Sequence, residues 1–163
     1  MTLHTEVEDR SLSSLLCSEA FCMDLQGTDA ESVLGEMVAG LGKAGAFPES
    51  AQATVLEKVL EREQLGTTGI GHGIAIPHGK HLDVNSVIGT IGVSQAGIDF
   101  CSLDGKPVHV VLMIVAPPDA RAAHLQALQA ASNVLRNPLT AKHIQQASSI
   151  EEIMETVEEA EQV

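Results

Sequence analysis

Val108-His109-Val110-Val111-Leu112-Met113-Ile114-Val115 is apolar at every position except His109. A strand with one wet face alternates apolar and polar side chains. A continuous apolar run means that both faces are covered, which predicts a central strand in a sheet packed between helices. Helical patterns lie on both sides of it. Upstream, Val33, Leu34, Met37, Val38 and Leu41 recur at helical spacing behind Thr28 and Glu31, which resemble a capping box, and Gly42 and Gly45 end that helix. Pro48 opens a second helix whose apolar stripe is Val55, Leu56, Val59 and Leu60. Downstream, Pro117-Pro118-Asp119 marks a helix start with Asp119 as N-cap. Leu125, Leu128 and Leu135 repeat along that helix, and Asn137-Pro138 ends it. A short helix is predicted over 140–146. Ser149 with Glu152 predicts a final capped, acidic helix.

The other strand signals are shorter. Residues 20–25 alternate, residues 74–76 are apolar and stopped by Pro77, and residues 87–93 are interrupted by Gly89 and Gly92. Residues 97–105 carry turn signals and room for a short edge piece, and residues 65–73 are predicted to be irregular. The order strand, two helices, several strands, then helices predicts an α/β fold: a single-domain sandwich with a mixed β-sheet flanked by helices. The N-terminal strand is expected to run parallel to a later one, across the two-helix crossover. Residues 1–11 read as a flexible N-terminus, 12–158 as the domain and 159–163 as an acidic tail.

Composition narrows the function. Aromatic residues make up 2% of the 163 residues, with no Trp or Tyr, so no platform exists for stacking bases or sugars. A formal net charge of −13 repels a phosphate backbone and an anionic membrane, so nucleic-acid binding and direct membrane insertion are not expected. No apolar run approaches the ~18 residues of a membrane span, and the N-terminus lacks a basic segment followed by an apolar one. Cys17, Cys22 and Cys101 fit no zinc or redox spacing, and read as reduced, mostly buried thiols in a reducing cytoplasm.

The segment richest in chemical signals is Gly66-Thr67-Thr68-Gly69-Ile70-Gly71-His72-Gly73-Ile74-Ala75-Ile76-Pro77-His78-Gly79-Lys80. Its glycines allow close approach of backbone N–H groups to an anion, and Thr67 and Thr68 add hydroxyl donors. It is neither a phosphate-binding Walker loop nor a dinucleotide fingerprint, and no cofactor is expected. Pro77 stiffens the backbone before His78, whose imidazole at a strand end suits a nucleophile for phosphoryl transfer. Such transfer needs positioning and charge stabilisation, for which Arg62, Thr67, Thr68 and His124 are candidates. Each has a plainer reading. Arg62, in the row of Val55 and Val59, suits a helix C-terminus. The threonines are ordinary turn residues, and His124, in the row of Leu128, Ala131 and Leu135, suits a satisfied core position. His72, His78 and His81 raise a metal site, but no helical His-x-x-x-His or matching carboxylate supports it, and no metal is expected.

Leu60-Glu61-Arg62-Glu63, the segment from Gly66 to His78, and Ala123-His124-Leu125 together resemble the enzyme IIA domain of the fructose/mannitol type, including its nitrogen-regulatory branch. This domain serves the phosphoenolpyruvate-dependent phosphotransferase system, and the resemblance spans roughly residues 12–158. It implies an α/β sandwich in which His78 is the phosphorylated residue, Arg62 the active-site arginine and His124 the second active-site histidine. It also implies phosphate arriving from the phosphocarrier HPr and leaving to a cysteine of an enzyme IIB domain. In the nitrogen-related branch, the phosphorylation state of His78 would instead be read by a regulatory target.

Overall fold

A computed structural model describes residues 11–162. Residues 1–10, most of the expected flexible N-terminus, lie outside the described residues. The elements are α1 (Leu12–Leu15), α2 (Ala30–Lys43), α3 (Gln52–Leu65), β1 (Gly69–Gly71), β2 (Ile74–Ala75), β3 (His78–Lys80), β4 (Ile88–Ile98), β5 (Val108–Ala116), α4 (Arg121–Leu135), α5 (Pro138–Gln146) and α6 (Ile150–Glu161).

β5 is the axis of a five-stranded mixed sheet. β4 lies antiparallel along one edge of it, while β2 and β3 lie parallel along the other. β2 and β3 keep one register on β5, Ile74 opposite Val110 and His78 opposite Ile114. They are one broken strand, interrupted at Pro77, which has no N–H to give the ladder. The Pro77 carbonyl still accepts from Ile114 N–H at 3.0 Å, so the chain stays on the sheet through the break.

The side chains of β5 alternate between two cores, as the apolar run predicts. Val111, Met113 and Val115 pack on one face with Val33, Met37, Val55 and Val59 of α2 and α3. Val110, Leu112 and Ile114 pack on the other with Ala131 and Leu135 of α4, Ile144 of α5 and Ile153 and Val157 of α6. Burial of these side chains, at about 1.5–3 kcal/mol each, is the main force holding both helical layers on the sheet.

Several local expectations shift. Residues 20–25 form no regular strand: they follow a 3-10 turn at Ser18–Ala20, bend at Met23–Asp24 and touch β4 at the isolated parallel bridge of Cys22 to Gly92, as Leu16 touches Gly89 before the turn. The parallel direction is as expected, and Gly92 leaves space that Leu25 fills. Residues 69–71, expected to be irregular, pair antiparallel with β2. α2 is capped by Asp29, whose carboxylate accepts from Ser32 N–H at 2.9 Å, one residue beyond the expected Thr28. Pro48 starts a 3-10 turn at Glu49–Ala51 that leads into α3. α4 is capped at Ala120 with no side-chain bond, so Asp119 does not serve as its cap. Asn137-Pro138 opens α5, with the Asn137 side chain accepting from Leu139 N–H at 2.9 Å. Ser149 caps α6 as expected, and α6 continues to Glu161, whose carboxylate accepts from the backbone N–H groups of Leu12 and Ser13. Cys101 is exposed, while Cys17 and Cys22 are half-buried free thiols.

A candidate phosphoryl-transfer site at the end of the broken strand

The site begins with a close approach. A side chain at Gly79 would meet the backbone of Val59 at 3.2 Å and its Cγ2 at 3.0 Å, so β3 and α3 come together only because position 79 has none. Arg62, less than one helical turn beyond Val59, is thereby carried toward the start of β3, where His78 sits. Arg62 Nη1 donates to the Gly66 carbonyl at 2.9 Å, anchoring the side chain at the C-terminus of α3. That contact uses one of five guanidinium donors.

His78 Nδ1 lies 3.1 Å from the Ile76 carbonyl. A carbonyl only accepts, so Nδ1 carries the proton and the lone pair of the neutral ring is on Nε2. Burial pushes the His78 pKa below its ordinary 6.5, against the pull of the Ile76 hydrogen bond, and the nearby positive charges of Arg62 and Lys80 push the same way. The ring is therefore neutral, with Nε2 nucleophilic, at neutral pH.

His124 comes from the other helical layer. It lies in the first turn of α4, buried at 5% exposure, with its ring edge-on to His78: centroids 5.6 Å apart and planes at 78°. Burial, then the neighbouring His78 and Lys80, lower its pKa to about 4. Its Nε2 is buried and makes no hydrogen bond. An unsatisfied buried polar atom costs about 1–3 kcal/mol, and the residue that carries this one lines a cleft. That cleft, about 1050 Å³, is lined by Arg62, His78 and His124 together.

The family model described as "Phosphoenolpyruvate-dependent sugar phosphotransferase system, EIIA 2" matches residues 14–160. The chain belongs to this family. It is similar to the PTS system fructose-specific EIIABC component of Bacillus subtilis (strain 168), at 36% identity over 90% of this chain and 23% of that protein. It is equally similar, at 36% identity over 82% of this chain and 85% of the relative, to the nitrogen regulatory protein of Bradyrhizobium diazoefficiens. Among solved structures, nitrogen regulatory protein IIA-Ntr from Neisseria meningitidis superposes with a TM-score of 0.80 at 27% identity, over 90% of this chain and 98% of that one. The protein is thus an EIIA-type phosphoryl carrier in a single α/β domain.

Two expected phosphate ligands of this EIIA domain are not brought to the cleft. The Thr67 hydroxyl donates to the Phe100 carbonyl at 2.5 Å and accepts from Gly69 N–H at 3.0 Å. The Thr68 hydroxyl and N–H both donate to the Glu63 carboxylate, at 2.6 and 2.9 Å. The threonines hold the turn between α3 and β1, and neither lines the cleft. The glycine-rich stretch makes a tight reversal between β1 and β2, with Gly71, His72 and Gly73 all at positive φ, and the His72 N–H donates to Asp104. Its glycines serve backbone geometry rather than an anion cradle. His81 is held between the Thr54 hydroxyl at 2.8 Å and Asp83 N–H at 3.0 Å. Among the described residues, no three His, Cys, Asp or Glu side chains converge as metal ligands. No helix among them is long and apolar enough to cross a membrane.

Other residues at the site carried no assigned role in the sequence. Glu63 clamps the turn whose Gly66 carbonyl holds Arg62, and its signal was only its place beside Arg62 in the family-like motif. Leu65, Leu82 and Leu125 line the cleft at 84%, 83% and 58% exposure. Leu125 was expected in the buried repeat of α4. The buried stripe is instead His124, Ala127, Ala131, Val134 and Leu135.

Proposed function

We propose that this domain, over residues 12–158, accepts a phosphoryl group from HPr on Nε2 of His78 and passes it to an enzyme IIB domain. The observation that carries this reading is the Nδ1 hydrogen bond to Ile76, which leaves the lone pair on Nε2 of a ring already neutral at working pH. In the first step the donor's nitrogen–phosphorus bond breaks with its electron pair left on the donor imidazole, and the new bond forms from the His78 Nε2 lone pair. In the second the His78 Nε2–phosphorus bond breaks with its pair returned to Nε2, and the new bond forms from the sulfur of the acceptor cysteine. Arg62 and the unpaired Nε2 of His124, as an N–H donor, stabilise the charge on the equatorial phosphoryl oxygens. His124 suits this work as a neutral hydrogen-bond donor, since its pKa of about 4 leaves no proton to compete for. The cytoplasm is the compartment in which these carriers would meet.

A second reading is favoured by the equal 36% identity to the nitrogen regulatory protein of Bradyrhizobium diazoefficiens. In it, the same His78 chemistry reports to a regulatory target instead of an enzyme IIB. The name of the Bacillus subtilis relative joins A, B and C components, which supports the transport reading. Incubation with phosphoenolpyruvate, enzyme I and HPr tests what both readings share: His78 should become labelled. Acceptance of the label by an added IIB domain then separates them. Failure of labelling overturns both.

A further inference from the structure

The charge of this protein is unevenly placed. The chain has nine Lys and Arg against 22 Asp and Glu. Four of those cations, Lys58, Arg62, Lys80 and Arg121, line the His78 cleft, with Glu61 as the one lining carboxylate. The cleft therefore carries a net positive lining on a chain of net charge −13. Glu61, 3.9 Å from Lys58, offsets one of the four cations and leaves the other three without a lining carboxylate.

Apolar surface gathers at the same place. Three of the six large hydrophobic side chains exposed among the described residues, Leu65, Leu82 and Leu125, rim this cleft. They come from three separate elements, α3, the loop after β3, and α4, that meet at the cleft. An apolar centre inside a charged ring is the anatomy of a transient protein interface, in which the ring sets encounter rate and partner choice.

We propose that this cleft selects a phosphocarrier protein whose phosphohistidine stands in an apolar patch ringed by carboxylates. The leucines cover the apolar patch, and Lys58, Lys80 and Arg121 face the ring. The inference rests on the carrier reading of His78 and adds the chemistry of the donor. The acidic remainder of the surface repels such a partner in every other orientation, so the cationic island also orients it. The incoming phosphoryl group, itself an anion, is drawn the same way. When it moves, the donor's nitrogen–phosphorus bond breaks with its electrons left on the donor ring, and the bond to His78 Nε2 forms.

The test uses the full chain and one HPr-type carrier in two altered forms, one with added glutamates around its phosphohistidine and one with added lysines. Initial rates of acid-labile labelling of the chain are measured at low salt and at about 0.3 M salt. The glutamate-ringed donor should have the higher kcat/KM, by about tenfold or more at low salt, and its advantage should shrink as salt rises. In a Lys58→Glu, Arg121→Glu variant the order of the two donors should reverse. A lysine-ringed donor that is equal or better, or an order unchanged in the variant, overturns the proposal. Affinities of both unphosphorylated carriers are measured in parallel. If no donor labels His78, the carrier reading fails, while the order of affinities still decides the surface. The comparison of the two donors on the unaltered chain needs no variant to fold.

Discussion

Residues 66–73 and residues 76–79 belong to one continuous motif, yet their polar groups have opposite fates. In the first, the Thr67 and Thr68 hydroxyls, the N–H groups of Thr68, Gly69 and His72 and the Gly73 carbonyl are all bonded within the chain. In the second, His78 gives one ring nitrogen to the backbone and keeps the other for the cleft, facing a His124 whose Nε2 has no partner. Glycine density marks where the backbone turns sharply. Thr90 and Ser102 also hold buried hydroxyls without partners, but of the three unpaired residues only His124 lines the cleft, where a bound oxygen would recover the free energy that a bare polar atom costs.

Removing the group that stays open is the strongest test of this contrast. His78→Ala should abolish acid-labile labelling from phosphoenolpyruvate while leaving the thermal transition almost unchanged, since half-buried His78 begins a short strand and belongs to neither core. The phosphoramidate is lost in acid and survives mild base, whereas an ester on Thr67 or Thr68 behaves the opposite way. Full-rate acid-labile labelling of His78→Ala would move the nucleophile elsewhere, first to His124.

The next effect is on rate alone. His124→Ala and Arg62→Ala should each still be labelled, but about a hundredfold more slowly, which corresponds to ~3 kcal/mol of lost charge stabilisation. Rapid-quench single-turnover transfer from phosphorylated HPr measures this. Equal rates in wild type and His124→Ala would show that its orphaned Nε2 is a packing feature.

These residues differ in how far the sequence exposes them. β5 was legible because a strand covered on both faces has no polar phase to hide. The inward placement of His124 was legible because helical period turns it onto the row of Ala131 and Leu135, both fully buried, while its place at the site is implied only by the family resemblance. Arg62 followed from the row of Val55 and Val59 for the same reason. What failed depended on which contacts the folded chain chooses, near or far, as for Thr68, which bonds to Glu63 only five residues away. The Thr67 hydroxyl belongs to Phe100, far along the sequence, and no local pattern announces that bond. The strand at 20–25 failed because alternation says nothing about the bend at Met23–Asp24, which leaves Cys22 and Leu25 bonded to β4 without a continuous ladder. Leu125 failed because leucines in helices usually count as core, whereas here the small side chains Ala127 and Ala131 meet the sheet and Leu125 rims the cleft.

Acid should reveal the same open histidine. The His124 pKa is about 4 when folded against an ordinary 6.5, so the folded state favours the neutral ring. Its contribution to stability is fully present above pH 6.5 and is lost as pH falls from there toward 4. The loss is at most about 3 kcal/mol. Urea denaturation at about pH 7 and about pH 4.5 should show this slope, and His124→Leu should flatten it. His78, also lowered, shapes the rate: labelling should be level above pH 6.5 and decline once acid protonates Nε2. A rate that rises as pH falls below 6.5 would contradict a neutral nucleophile.

The smallest effect tests the closed half of the motif. Thr68→Val keeps the shape of the side chain and removes its hydroxyl. The Glu63 carboxylate then loses its 2.6 Å hydrogen bond and retains the 2.9 Å bond from the backbone N–H at position 68. Glu63 is half-buried, so water replaces part of what is lost. Stability should therefore fall by only about 1–2 kcal/mol. Phosphoryl transfer should slow by no more than a few-fold, through a slightly loosened Gly66 carbonyl and its hold on Arg62. A threonine that binds the phosphoryl group would behave otherwise: its loss would remove a transition-state contact and slow transfer about a hundredfold at nearly unchanged stability. Measuring denaturation and single-turnover rate on the same variant distinguishes the two, because they predict opposite rankings of the two effects. A hundredfold slower Thr68→Val with wild-type stability would mean that the turn between α3 and β1 opens toward the cleft when phosphate arrives.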